Sequence, residues 1–203
     1  MHPLCLCAGG SPHRVSWLST AVIALVLAAC ASSPPTLVAL PAATTPGARQ
    51  APDAAVTVRL RQVRVADYLD GFAVVIGRDS NVLVVADRTE WAERPSQGVS
   101  RVLRDALSQR LGSSQVLIAG DRRRADADLS VELLALDPAR DALTLDAGWS
   151  FVCRATGQSH GGRTAVRVAM SAATPQGVAA AMSVALSRLA DALVDELRCD
   201  GRP

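Results

Sequence analysis

Hydrophobic and polar positions along this chain follow two periods. Val56, Val58 and Leu60 alternate with polar residues, and Val63 and Val65 resume on the opposite parity. This predicts a strand with a one-residue slip near Arg61-Gln62, as a β-bulge makes. Residues Phe72 to Gly77 and Asn81 to Ala86 are short β-branched runs separated by Arg78-Asp79-Ser80, which predicts a hairpin. Within it, Val82-Leu83-Val84-Val85 has no polar face and reads as a central strand covered on both sides. From Ser96 the period lengthens: Val99, Val102, Leu103, Ala106, Leu107 and Leu111 form one stripe, Arg101, Arg104, Asp105 and Ser108 lie opposite, and Gly112 ends it. That is an amphipathic helix lying on a sheet.

The second half repeats the alternation of strand and helix. Val116 to Ala119 read as a strand, residues 121–128 as a polar connection, and Leu129, Val131 and Leu133 as a strand ended by Asp137-Pro138. Leu143, Leu145, Ala147, Trp149, Phe151 and Cys153 then share one face at period two, which turns Cys153 inward with the aromatics. His160-Gly161-Gly162 reads as a glycine-rich turn leading into the strand of Val166, Val168 and Met170. Thr174-Pro175 supplies an N-cap and a proline in the first helical position. The stripe Val178, Met182, Ala185, Leu186, Leu189, Leu193 and Leu197 follows as a long helix. The order of elements predicts one α/β domain, a mixed β-sheet carrying two amphipathic helices.

The N-terminus carries an address. Arg14 provides a positive segment, Ala21 to Leu27 an uncharged apolar one, and Leu27-Ala28-Ala29-Cys30 a lipobox followed by Ala31-Ser32-Ser33-Pro34-Pro35. Residues 1–29 read as a lipoprotein signal peptide, and Cys30 as the acylated first residue of the mature chain, which holds the protein at a membrane surface without spanning it. Residues 30–52 are rich in Pro and Ala and read as a flexible tether, leaving residues 53–203 as the domain. Ala31 is not an aspartate, which in a Gram-negative cell points to the periplasmic face of the outer membrane.

Removing the signal takes away Arg14 alone among the charges and leaves a net charge near +1, so neither a nucleic-acid partner nor a polybasic membrane patch is indicated. Cys153 and Cys199 remain beside Cys30. They read as one disulfide, with two separate buried thiols as the alternative; a bridge would close a loop worth roughly 3–4 kcal/mol in an oxidising compartment. His160 lies without a second histidine or a cysteine beside it, and Asp126 with Asp128 read as solubilising, turn-forming residues. No G-x-S-x-G, H-E-x-x-H, P-loop or G-x-G-x-x-G occurs. No catalytic residue, metal ligand or cofactor is assigned, which leaves binding, transport and scaffolding.

The segments V-R-V-A-D-Y-L-D-G from Val63, N-V-L-V-V-A-D-R-T-E-W-A-E from Asn81 and V-S-R-V-L-R-D-A-L-S-Q-R-L from Val99, with lipobox and terminal helix, resemble the PqiC (YmbA-type) family of ABC-type transport auxiliary lipoproteins. The resemblance covers roughly residues 36–198, and its most specific parts are Asp67-Tyr68-Leu69 and Trp91-Ala92-Glu93. It implies an α/β domain with a mixed sheet, an outer-membrane address, and an MCE-domain protein with its inner-membrane transport complex as partner in moving lipid. Asp67, Tyr68, Leu69, Trp91 and Glu93 are thereby candidates for a partner interface. For Trp91, fixing the strand-to-helix corner is an equal alternative. The reading is a non-enzymatic docking lipoprotein, in which self-association into a ring would suit a cap on a symmetric tube. The alternative is an envelope assembly or scaffolding lipoprotein without lipid contact, and a hydrolase has no visible site.

Overall fold

The computed structural model describes residues 34–43, 56–118, 120–197 and 199. The alternating segments build a five-stranded sheet. Strand β2 (Val58–Val65) sits between the two-residue β5 (Val116–Leu117) and β6 (Ala127–Pro138), parallel to both; β7 (Ala142–Cys153) and β8 (Ser159–Ala169) extend the sheet antiparallel. The sheet is therefore mixed, in the order β5-β2-β6-β7-β8. The parity change in β2 is a register shift between Leu60 and Gln62, which returns Val63 and Val65 to the side of the core. Leu129, Val131 and Leu133 of β6 stand opposite Phe151, Trp149 and Ala147 of β7, so the period-two faces of both strands coincide.

Helices α1 (Pro95–Leu111) and α2 (Pro175–Glu196) pack on that face and on each other. Thr174 Oγ1 accepts the Gly177 amide at 3.1 Å, so the helix start written as Thr-Pro is a side-chain cap with proline inside it. Although α2 is long and apolar enough to cross a bilayer by length, its stripe from Val178 to Leu193 is spent on the core. Leu103, Leu107, Leu143, Leu145, Leu186 and Leu189 are wholly buried between the helices and the sheet.

Three expectations change. Residues 36–43, assigned to the tether, belong to the domain: β1 (Thr36–Val38) pairs in parallel with β4 (Val82–Trp91), which pairs antiparallel with β3 (Ala73–Asp79) in a second, three-stranded sheet. Val38, Leu40 and Ala43 are buried, and apolar burial outweighs the Pro/Ala composition that suggests a linker. Next, β4 is central in its sheet but uncovered at its start: Val82, Val84 and Val85 are 67%, 43% and 51% exposed. An apolar run does not by itself bring double coverage.

Finally, His160, Gly161 and Gly162 lie in β8, and the turn falls earlier, at residues 154–157, where Gly157 has φ +71°. Gly162 is demanded by a ring instead of by a turn. A Cβ on it would stand 2.7 Å from Trp149 Cζ2, because the indole lies across the strand and donates from Nε1 to Thr164 Oγ1 at 3.0 Å.

Candidate functional site

The segments that resemble the family's motifs meet where β4 passes into α1. Trp91 is the last residue of β4. Its amide donates to the Phe72 carbonyl at 2.7 Å, and the next amide, Ala92, donates to the Val38 carbonyl at 2.8 Å, so the corner is locked to β3 on one side and to β1 on the other. The Trp91 side chain is only 6% exposed. With Val65, Leu69, Val75, Val99 and Met182 it lines an apolar hole of about 20 Å³ between the two sheets and the starts of both helices. A hole of that size has room for about one water molecule and is apolar, so it stays dry and is no acyl-chain pocket.

Glu93 and Arg101 form the next layer. The Arg101 guanidinium bonds the Glu93 carboxylate and, through the same Nη2, donates to the Leu40 carbonyl at 3.1 Å. Further along the strap, Ser183 Oγ of α2 donates to the Ala42 carbonyl at 2.8 Å. The Leu40 side chain drops against Gly98, where a Cβ would come within 2.7 Å of Leu40 Cδ1. Residues 38–43 are thus a strap drawn over α1 and α2, its carbonyls held by one guanidinium and one hydroxyl. That explains why a glycine sits in the first turns of α1 despite its helix cost of about 1 kcal/mol.

The Asp67–Leu69 segment is one turn of 3-10 helix. Leu69 is buried and shares the apolar hole with Trp91, whereas Tyr68 is 43% exposed. The Arg78 guanidinium lies over the Tyr68 ring, 5.7 Å from its centroid, and grips Asp137 Oδ1 from Nη2 at 2.8 Å and Nε at 3.2 Å. Partial burial, then the Asp137 charge, push the Tyr68 phenol above its ordinary pKa in spite of Arg78. Asp67 faces an open surface hollow with Asp70 and Ser96. Asp70, one residue beyond the motif, plays the clearer part. Its carboxylate accepts the Ser96 amide at 2.8 Å and the Ser96 hydroxyl at 3.1 Å, which caps α1 from outside because Arg94, at the N-cap position, has no side-chain acceptor.

The motif residues therefore divide. Trp91, Leu69 and Glu93 hold the corner, and burial removes Trp91 from any surface a partner could touch. Asp67 and Tyr68 are the candidate side chains left at the surface. Cys153 and Cys199 are joined by a disulfide, Cα to Cα 5.6 Å, at the far end of β7, and Cys30 lies outside the described residues.

Arg110 escapes a reading of the sequence, although it falls on the stripe of Leu103, Ala106 and Leu107, where a charge must find a partner. It is 6% exposed and is satisfied by Asp191 on α2, by the Ser187 carbonyl at 2.8 Å and by the Ala106 carbonyl at 2.7 Å. Among the described residues no group of three or more His, Cys, Asp or Glu is arranged to hold a metal ion. Asp126 and Asp128 have structural work. Asp126 accepts the Thr57 amide at 2.8 Å, and Asp128 accepts from Arg154 at 2.7 Å.

Residues 36–194 match the model of a family described as the ABC-type transport auxiliary lipoprotein component, so the match begins at β1 and ends in the last turn of α2. The chain belongs to that family. Solved structures share the fold. One, described only as an uncharacterized protein, is 17% identical with a TM-score of 0.66 over 82% of this chain and 100% of its own. Protein XCC0632 from Xanthomonas campestris is 17% identical with a TM-score of 0.64, covering 78% of this chain and 92% of its own. A comparison with curated proteins gave no match.

Proposed function

We propose that the protein is an outer-membrane lipoprotein, acylated at Cys30, that acts as a non-enzymatic docking component of an MCE/ABC-type intermembrane lipid transport system. It is PqiC-like in its parts, with an MCE-domain protein and its inner-membrane complex as partner. The family match supports an auxiliary role in transport. The observation that carries the mechanical part of the proposal is the strap. With β1 inside the domain, six residue steps lead from Cys30 to Thr36, a leash of at most about 22 Å at ~3.3–3.6 Å per residue.

A tether of some twenty residues would let the domain range into the periplasm. A leash of six residues keeps it against the membrane that holds its lipid, so the partner complex comes to it.

Affinity capture of the full-length lipoprotein from envelope extracts tests this. Recovery of an MCE-domain protein is the expected result, and its absence under conditions that retain other envelope complexes overturns the partner assignment. Photo-crosslinkable lipid separates the reading from a scaffolding lipoprotein: labelling of the captured complex favours transport, and a complex that forms but never labels favours scaffolding. A fatty-acid probe incorporated by the natural chain and not by Cys30→Ala reports the anchor.

A further inference from the structure

The turn of the β3–β4 hairpin and the point where the chain enters the domain lie on the same side. Because β1 runs parallel to β4, with Thr36 opposite Thr89 and Val38 opposite Trp91, the chain reaches Thr36 from the direction of the β3–β4 turn. Seven residues of β4 separate Thr89 from Val82, a distance of about 23 Å at ~3.3 Å per residue. The leash from Cys30 to Thr36 has almost the same reach. A membrane that holds a lipid on Cys30 therefore stands no farther from Thr36 than Val82, at the turn end of the hairpin, does.

The hairpin has the composition of a surface meant for an apolar medium. Val82, Val84 and Val85 expose 67%, 43% and 51% of their surface, while Asp79, Ser80 and Asn81 form a polar turn at the apex. β1 covers β4 only from Thr89 to Trp91, so the stretch carrying the valines has β3 as its hydrogen-bonded neighbour and no described element packed over it. Arg78, opposite Leu83 near the turn, bonds Asp137 and lies over the half-exposed Tyr68 ring, and Asp87 and Arg88 follow toward the root on β4, so polar and aromatic groups suited to the headgroup level border the valines on both sides.

We infer that the Val82–Val85 flank of the β3–β4 hairpin is a second membrane contact, lying in the interfacial layer of the bilayer that carries the Cys30 lipid. This rests on the anchor reading. The polar apex and the Arg78–Tyr68 pair beside it stay among headgroups, and the valine flank faces the acyl boundary. A lipid chain fixes distance alone; lipid chain and hairpin together fix orientation, leaving the opposite end of β7, with the Cys153–Cys199 bridge, pointed toward the periplasm.

The test uses the mature lipoprotein reconstituted in phosphatidylethanolamine/phosphatidylglycerol vesicles, with an environment-sensitive fluorophore on Val84→Cys or, in the turn beyond β7, on Ala155→Cys. The Val84 probe is expected to shift to shorter wavelength and to be quenched by doxyl-labelled lipid, and the Ala155 probe to report water in both measurements. Mass spectrometry of the N-terminal peptide is run on the same samples. An acylated peptide with an unquenched Val84 probe overturns the hairpin contact and leaves the anchor standing. An unacylated peptide overturns the anchor and the inference with it. A Val84 probe that is shielded in proportion to protein concentration yet unaffected by doxyl lipid shows a second protein strand on the open edge of β4, and that also overturns the lipid contact.

Discussion

Arg110 on α1 holds Asp191 on α2 by a two-pronged contact, Nε to Oδ1 at 2.7 Å and Nη2 to Oδ2 at 3.0 Å. The two ends of the pair are unequal, since the arginine side chain is 5% exposed and the aspartate 24%. Removing the carboxylate strands a buried cation, whereas removing the guanidinium leaves an anion that water can reach. Asp191→Ala should therefore cost about 3–5 kcal/mol, and Arg110→Met distinctly less. Urea melts of the two variants and of the double variant decide the matter, and equal losses for the two single changes would count against this account.

The strap depends on Arg101. Arg101→Ala removes its bonds to the Leu40 carbonyl and the Glu93 carboxylate, both partly solvated, and should cost about 1–2 kcal/mol. The loss should be local. Hydrogen exchange at the Ala92 amide, which is bonded to Val38, is expected to accelerate while amides in the middle of α2 keep their protection. Uniform acceleration through the domain would show that the strap is not a separate unit.

Trp91 is a corner plug by its burial, and its truncation should act on stability. Trp91→Ala empties the largest side chain around an existing hole and is expected to lower stability by about 3–5 kcal/mol, with a matching fall in melting temperature. Capture of partner by the molecules that remain folded should be unchanged. A normal melting temperature with lost capture would reverse the assignment.

Much of the fold is legible in the sequence because burial and period coincide in it. The β2 bulge shows as a parity change at Arg61-Gln62, and the inward face of β7 as six residues at period two. The strap is not legible: Leu40 and Ala43 sit among Pro, Ala and Thr, and it takes the strap's contacts with Gly98, Arg101 and Ser183 to distinguish it from linker. The uncovered valines of β4 mislead for a related reason, since an apolar run records what a strand avoids in water and not which neighbour supplies the cover. Gly161-Gly162 misleads because glycine marks close approach as well as turns, and the indole that needs Gly162 belongs to Trp149, on another strand. At the site, the residues carrying the family resemblance can be found in the sequence, but their division into buried Trp91 and exposed Tyr68 requires the third dimension.

One pH effect can be given a sign. The Arg163 guanidinium bonds both oxygens of Asp146 and holds its carboxyl below the ordinary aspartate value. A depressed folded-state pKa contributes stability above the unfolded value, near 3.9, and that stability is lost as pH falls through the folded value. Arg163 is 67% exposed, so solvent screening limits the contribution to well under about 1 kcal/mol. Asp146→Asn should therefore lower stability slightly at pH 7 and leave it unchanged once the pH has fallen below the folded-state value, as paired melts at pH 7 and in strong acid would reveal. An equal effect at both would assign the loss to packing.

The Cys153–Cys199 bridge ties the end of β7 to the chain beyond α2 across 46 residues. In the chain-entropy account a loop of that length is worth roughly 3–4 kcal/mol, because the bond limits the unfolded chain more than it adds to the folded one. A non-reducing gel of the periplasmic Cys30→Ala form should show a faster band that slows on reduction, and alkylation under denaturing conditions should find no free thiol. Cys153→Ser/Cys199→Ser should fold, because Leu193 and the rest of the α2 stripe are buried without the bridge, and should melt lower by that margin. Two freely alkylated thiols in the oxidised protein would remove the bridge.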